Sequence, residues 1–181
     1  MVKTTVPSGD RAPNLGVSYR NMTESDMTFL CALYYSTRAE EMEMVPWTQE
    51  EKDNFIDMQF KAQHQHYQIH YPDAVWLVIE IAGERVGRLY LEHWETQHCV
   101  IDIALMPEMR GKGIGNAIMQ DVIEQAAGVG RDVCIHVEKN NPAMRLYKNL
   151  GFKVVEDKGV YDLMVWSADQ AVGADQENIA S

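Results

Sequence analysis

Hydrophobic and polar positions along the chain change period several times, and each change marks an element. Residues 16–20 form a short extended run. From Thr23, apolar residues recur at helical spacing, with Met27, Leu30, Leu33 and Tyr34 on one buried stripe through about Arg38. Thr23, with Asp26 three residues on, gives that helix a capping-box-like start. Glu40 to Met44 lead to Pro46 and Trp47, which read as a loop. A second helix starts at Thr48 with Glu51 in the capping-box position. It carries Phe55, Ile56, Met58, Phe60, Tyr67 and Ile69 until Tyr71 and Pro72 stop it.

From Ala74 the period is that of sheet. Residues 75–81 are dense and apolar, 82–85 turn, and 86–94 alternate. After a loop about 95–97 comes the apolar run from Val100 to Met106, closed by Pro107, which has no N–H to give a ladder. A helical stripe of Ile114, Ile118, Val122 and Ile123 then runs from about Gly113 to Ala127 and ends at Gly128 and Gly130. Residues 133–137 are almost continuously apolar, as a strand covered on both faces is. Pro142 suits the first turn of a short helix ending at Gly151. Residues 152–156 and 161–166 make a hairpin about Lys158 and Gly159. The flanks lack periodicity. Residues 1–14 are expected to be a flexible arm, 15–167 one domain, and 168–181 a mobile tail.

Length and composition narrow the function. The 181 residues suit a single domain with a sizeable core. A net charge of −11 argues against nucleic acid as a general partner, because phosphate backbones attract basic surfaces. No apolar run is long enough to span a membrane, and the start of the chain has no signal-like core, so a cytoplasmic location is expected. Cys31, Cys99 and Cys134 are odd in number and widely spaced in apolar segments, which favours free buried thiols over a disulfide frame or zinc site.

The candidate chemistry lies where the strand ending at Met106 meets the helix starting at Gly113. Between them stands Arg110-Gly111-Lys112-Gly113-Ile114-Gly115. A strand, a glycine-rich turn and a helix place outward-pointing N–H groups and the positive end of a helix dipole together, a site for phosphate. Gly113 and Gly115 leave the amides open to an anion, and Arg110 and Lys112 add cations. A P-loop would need Ser or Thr after Lys112, where Gly113 stands. A dinucleotide fingerprint would need a glycine where Asn116 stands. A third form, Arg-x-x-Gly-x-Gly before a helix, continues with a second strand and helix ending in Tyr and then Gly-Phe. Here that continuation is Asn140-Asn141-Pro142 through Tyr147 to Gly151-Phe152.

With both blocks present, the chain resembles the GNAT superfamily of acyl-CoA-dependent N-acyltransferases over about residues 17–166. The resemblance implies an α/β (α+β) fold. Its central mixed sheet has six or seven strands and two helices on each face, and is splayed between the fourth and fifth strands. It implies acetyl-CoA as co-substrate, with no metal. The pantetheine arm would pair as a false strand with the backbone of Ile103 and Leu105, in a gap beside residues 133–137. The pyrophosphate would sit on amides from Arg110, Gly111, Lys112, Gly113, Ile114 and Gly115 to Asn116. A main-chain N–H near Leu105 or Met106 would hold the oxyanion. Tyr147 matches the family tyrosine that protonates the leaving thiolate, and Asn140, with Asn141 as an alternative, would contact the pantetheine or a water. For the base the candidates are Glu92, taken first, then His93, His98 and Asp102; an acceptor arriving as free amine needs none. Direct attack in a ternary complex on a small-molecule amine is the expected reaction. A peptide amino terminus as acceptor, or a non-catalytic CoA-binding module, are the alternatives. The resemblance is compatible with a homodimer.

Other features have plainer readings. Among His64, His66 and His70 only the last two share a helix face, and nothing nearby completes a metal site. Trp47, Tyr34, Tyr35 and Tyr67 fall where the family builds its acceptor wall, though core packing explains them equally. Glu40, Glu41, Glu43, Glu50 and Glu51 form an acidic patch near the same wall, most simply a solvated helix end.

Overall fold

The structure, a computed structural model, describes residues 6–169. Its seven strands form one sheet in the order β1-β2-β3-β4-β5-β7-β6. β1 (Val17–Asn21), β2 (Val75–Ile81), β3 (Glu84–His93) and β4 (Gln97–Leu105) pair antiparallel in turn. β4 lies parallel to β5 (Asp132–Glu138), and β5 is antiparallel to β7 (Tyr161–Trp166), whose other neighbour is β6 (Lys153–Lys158).

The helices divide between the two faces. α1 (Arg11–Asn14), α4 (Ile114–Ala127) and α5 (Met144–Asn149) cover one. There Ile118, Met119 and Val122 pack with Leu77, Ile79, Leu89, Leu91, Val100, Val133 and Ile135. α2 (Met27–Glu43) and α3 (Gln49–His70) cover the other, burying Leu30, Leu33, Tyr34, Ile56 and Phe60 against Ala104 and Met106. Complete burial of one such side chain stabilises by about 1.5–3 kcal/mol, so both layers are required.

Local signals hold at most boundaries. The Thr48 hydroxyl accepts from the Glu51 N–H, and the Glu51 carboxylate accepts from the Thr48 N–H at 2.7 Å. α2 continues to Glu43 instead of ending near Arg38, because Ala39, Glu40, Glu41 and Met42 are good helix formers and Met42 is buried. β4 starts at Gln97, since the Trp94 N–H donates to the Gln97 carbonyl at 2.9 Å and closes the turn early.

The larger difference is at the amino end. Part of the stretch expected to be a loose arm is tied to α4. Asp121, fully buried, accepts from the N–H groups of Arg11 at 3.2 Å and Ala12 at 2.8 Å. Ala12 is buried, and Val6 packs on the same core. Gly9 runs so close that a Cβ would come within 2.1 Å of the Asp121 Oδ1. At the other end the Ala168 N–H donates to Asp132 at 2.8 Å, while the rest of the expected tail, from residue 170, lies outside the described residues, as do residues 1–5.

Candidate active site

One surplus residue opens the sheet. Tyr90 faces Asp102 and Leu91 faces Val100, so Ile101 has no partner on β3 and forms a β-bulge. A bulge bends and twists its strand. The parallel pairing of β4 with β5 runs from Gln97↔Asp132 to Val100↔Ile135 and stops there, at the bulge. Beyond it β4 carries Asp102 to Leu105 away from β5. The expected splay thus lies between the fourth and fifth strands.

Alternation shows which backbone groups face the gap. The Met106 N–H donates to the Val86 carbonyl at 2.8 Å, toward β3. Ile103 and Leu105 therefore turn theirs the other way, into the gap. Of the two N–H groups expected for the oxyanion, that of Met106 is already engaged and that of Leu105 is free of β3.

The loop after Pro107 is a short 3₁₀ turn, Pro107–Met109, followed by Gly111 and Gly113 at φ +71° and +81°. Both are left-handed, which glycine adopts without strain. A Cβ on Gly113 would meet nothing within 4 Å, so the space above the loop is open. Among the described residues no acceptor takes the N–H groups of Gly113, Ile114, Gly115 and Asn116; the first α4 bond is Ala117 N–H to the Gly113 carbonyl at 2.9 Å. Lys112 is exposed beside them. Arg110 is placed differently from expectation. Its Nε donates to the Leu105 carbonyl at 2.8 Å and its Nη2 to Ser36 on α2 at 2.9 Å, so it braces the strand end against α2.

Tyr147 is buried on α5, edge-on to Phe152 at 6.0 Å. Burial, and then the negative charge of Asp102, push the Tyr147 hydroxyl above the usual phenol range, so it is a proton donor at neutral pH. Asn140 is exposed at the end of β5. The Asn141 side chain is engaged within its own turn, where its oxygen accepts from the Ala143 N–H at 2.8 Å and caps the entry into α5.

The base candidates separate onto two faces. Leu89 and Leu91 join the α4 core, so Arg88, Tyr90 and Glu92 point toward α3. Glu92 is buried, takes the indole N–H of Trp94, and sits in register with Cys99. That is on the zipped side of the bulge, four residues before Ile103, or about 13 Å along the strand. His93 and His98 lie on the α4 face, with ring centroids 4.3 Å apart. Burial, then the charges of His93 and Arg131, pull His98 down to about 4. Neither histidine borders the gap.

Asp102 stands just past the bulge, on the α3 side. Arg88 Nη2 donates to it at 2.8 Å and Nε at 3.3 Å, and the Tyr67 hydroxyl donates at 3.0 Å. Arg88, 3% exposed, also donates to Gln63 on α3 at 2.9 Å. Sequence reasoning missed Arg88 and Gln63. The available signal was a lone arginine inside an apolar alternating strand, which needs a buried acid. His136 was missed as well: it is half-buried on β5 just past the last β4–β5 pair, lowered by burial and by Lys158.

Further toward the end of β5, Arg38 on α2 donates to Glu138 at 2.9 Å, and the Tyr161 hydroxyl reaches the same oxygen at 3.4 Å. These contacts tie α2, β5 and the β6–β7 hairpin together. Trp47 is partly exposed nearby in sequence and stacks edge-on against Phe55 at 5.3 Å. Cys99 and Cys134 face each other across the zipped β4–β5 pair and are buried. Among the described residues no group of metal-binding side chains is large enough to hold an ion, and no helix is long and apolar enough to cross a membrane.

These features define a mixed α/β sheet split at one parallel pair, with bare amides at the mouth of the split. The chain matches the acetyltransferase (GNAT) family over residues 34–152 and belongs to it. It is 27% identical over 135 residues to an uncharacterised N-acetyltransferase of Methanocaldococcus jannaschii, covering 60% of this chain and 59% of that one. It is 32% identical over 93 residues to a peptidyl-lysine N-acetyltransferase of Salmonella typhimurium, covering 51% of this chain and 59% of that one. The chain thus spans about three-fifths of the length of these curated relatives. Among solved structures, the PaiA N-acetyltransferase of Thermoplasma acidophilum in complex with coenzyme A superposes with a TM-score of 0.63. The identity there is 16%, over 83% of this chain and 98% of that one.

Proposed function

We propose that the chain is an acetyl-CoA-dependent N-acetyltransferase that transfers the acetyl group to a primary amine of a small molecule, directly within a ternary complex. The observation that carries this reading is the end of β4–β5 pairing at Val100↔Ile135, within reach of the bare amides that open α4. An extended pantetheine arm pairs with Ile103 and Leu105 as an added strand would. The diphosphate sits on the N–H groups from Gly111 to Asn116, where the helix dipole favours negative charge. When bound, acetyl-CoA supplies an activated thioester.

The chain's own groups do the rest. A main-chain N–H of β4 turned into the gap, beyond the residues that pair with the arm, is the donor for the carbonyl oxygen. Tyr147, with its proton retained, donates to the departing sulfur, and Asn140 lies at the pantetheine end of the gap. Glu92, on β3 opposite Cys99, lies too far back along the sheet to take the amine proton, and Asp102 is held by Arg88 and Tyr67. The acceptor therefore attacks as free amine, and the proton its nitrogen sheds as the C–S bond breaks passes through solvent to the Tyr147 oxygen, which has given its own to the sulfur. The length of α3, Gln49–His70, beside the acceptor side favours a small molecule over a protein segment.

The test is thiol release from acetyl-CoA across a panel of small primary amines and of short peptides with free amino termini or lysines, alongside calorimetry with acetyl-CoA. Binding with turnover on small amines supports the reading. Turnover on peptides alone overturns the acceptor, binding without turnover on any amine points to a CoA-binding module, and no binding overturns the whole.

A further inference from the structure

The Arg88–Asp102 pair is unusual in its position. Arg88 lies in the middle of β3, buried, with its guanidinium 5.2 Å from the centre of the Tyr90 ring. Asp102 is the first paired residue of β4 after the bulge. An isolated ion here would be strongly unfavourable, so each charge requires the other. Both also reach α3: Arg88 through Gln63 at 2.9 Å, and Asp102 through the Tyr67 hydroxyl at 3.0 Å. Burial and the Asp102 charge push the Tyr67 hydroxyl well up, so it remains the donor at neutral pH. The Tyr67 ring meets Trp76 and Tyr90 at 6.4 and 6.2 Å, so α3 is fixed at this point by rings as well as by charge.

Residues on either side of Asp102 differ in what they face. Its neighbour Ile103 turns its backbone into the gap, while the Asp102 side chain points to α3. One stretch of β4 thus touches the nucleotide cleft with its main chain and the acceptor wall with a carboxylate.

We propose that Asp102, held by Arg88, is a positioning residue that ties helix α3 to the cleft strand, so that filling the gap orders the acceptor wall through the Tyr67 hydroxyl. This rests on the reading that acetyl-CoA occupies the gap. Pairing of an extended ligand with Ile103 and Leu105 gives the stretch of β4 that is open toward β5 a second neighbour and fixes it. The carboxylate at Asp102 is fixed with it, and Tyr67 and Gln63 on α3 follow. The wall is then set before the amine arrives, which reduces the ordering cost the amine itself must meet.

The experiment uses acetyl-CoA as the only ligand, so it does not depend on knowing the acceptor. Amide hydrogen exchange across α3 is measured with and without acetyl-CoA, and the affinity is measured by calorimetry. In the unaltered chain, acetyl-CoA slows exchange in the second half of α3 by about tenfold, the range expected when one hydrogen-bonded contact is stabilised. Tyr67→Phe removes only the hydroxyl. It binds acetyl-CoA within about twofold of the unaltered chain yet loses most of that protection. Protection of α3 that persists in Tyr67→Phe, or its absence in an unaltered chain that binds acetyl-CoA, overturns this proposal and leaves the functional reading standing. An unaltered chain that takes up no acetyl-CoA overturns both.

Discussion

Substitution of Gly113 by alanine separates what the loop does for folding from what it does for binding. Gly113 sits at φ +81°, and a Cβ built there meets no atom within 4 Å. Steric conflict with the rest of the chain is therefore absent, and the folding cost is that of a left-handed alanine, about 1 kcal/mol. For a domain of this size that lowers Tm by about 2–4 °C. Binding is a different matter. The methyl group projects beside the N–H groups of Gly113 to Asn116, which have no acceptor among the described residues. Displacing a phosphate from one or two charge-assisted hydrogen bonds costs about 1.5–3 kcal/mol, which is about 10- to 150-fold in Kd. Calorimetry with acetyl-CoA and a thermal melt on the same preparation measure both quantities. A Tm that falls as stated while Kd stays within twofold would show that the diphosphate is held elsewhere, and the loop would drop out of the mechanism.

Tyr147→Phe is expected to cut turnover by about 10²-fold, the usual contribution of a positioned proton donor, with the acetyl-CoA Kd and the Tm barely changed, as kinetics and calorimetry on one sample would reveal. Glu92→Gln should change kcat/KM by less than about threefold, and kcat/KM should rise with pH up to the pKa of the amine used; a bell-shaped profile lost in this variant would restore Glu92 as the base. Stability should decline on acidification in two stages. His98, lowered to about 4 in the folded state, binds a proton more readily when unfolded, so its contribution is complete above pH 6.5 and is lost as pH falls toward about 4. Asp26, fully buried and held low by Arg20 and then by the Thr23 N–H and Arg85, contributes stability above its ordinary value of 3.8 that is lost below it. Urea titrations of His98→Gln should flatten the upper stage only. Gly9→Ala forces a Cβ against the Asp121 carboxylate and should expose residues 6–14 to limited proteolysis while leaving acetyl-CoA affinity unchanged.

How much was legible in the chain depended on whether the cause was local. Thr48 and Glu51 cap a helix by contacts three residues apart, and Pro107 ends its strand by lacking an N–H; both effects are written where they act. Of the two glycines singled out, Gly113 is left-handed and Gly115 lies inside α4; glycine permits the first conformation without dictating it, and Gly111 adopts it as well. The bulge was not legible. In Val100 to Leu105 nearly every residue is apolar, so no period marks Ile101 as surplus. Asp102 consequently stood among the base candidates, since its partner Arg88 is 14 residues away on another strand. Glu92 looked like the better base because strand alternation gives the face of a residue and says nothing of how far along the cleft it lies. The contacts of Arg11 and Ala12 were not legible from composition. The clue lay in α4, where Asp121 falls among Ile118 and Val122 on the buried stripe and had to find donors somewhere.

The unpaired Ile101 also fixes parity. Ahead of it, even-numbered His98 and Val100 look toward α4; after it, even-numbered Asp102 and Ala104 look toward α3. Excising that single isoleucine would restore uninterrupted counting. Asp102 and Ala104 would keep their faces, while strand β4 would lose the bend that holds it off its parallel neighbour. An insertion or deletion within these few positions should therefore be far less tolerated than any conservative replacement of the isoleucine itself.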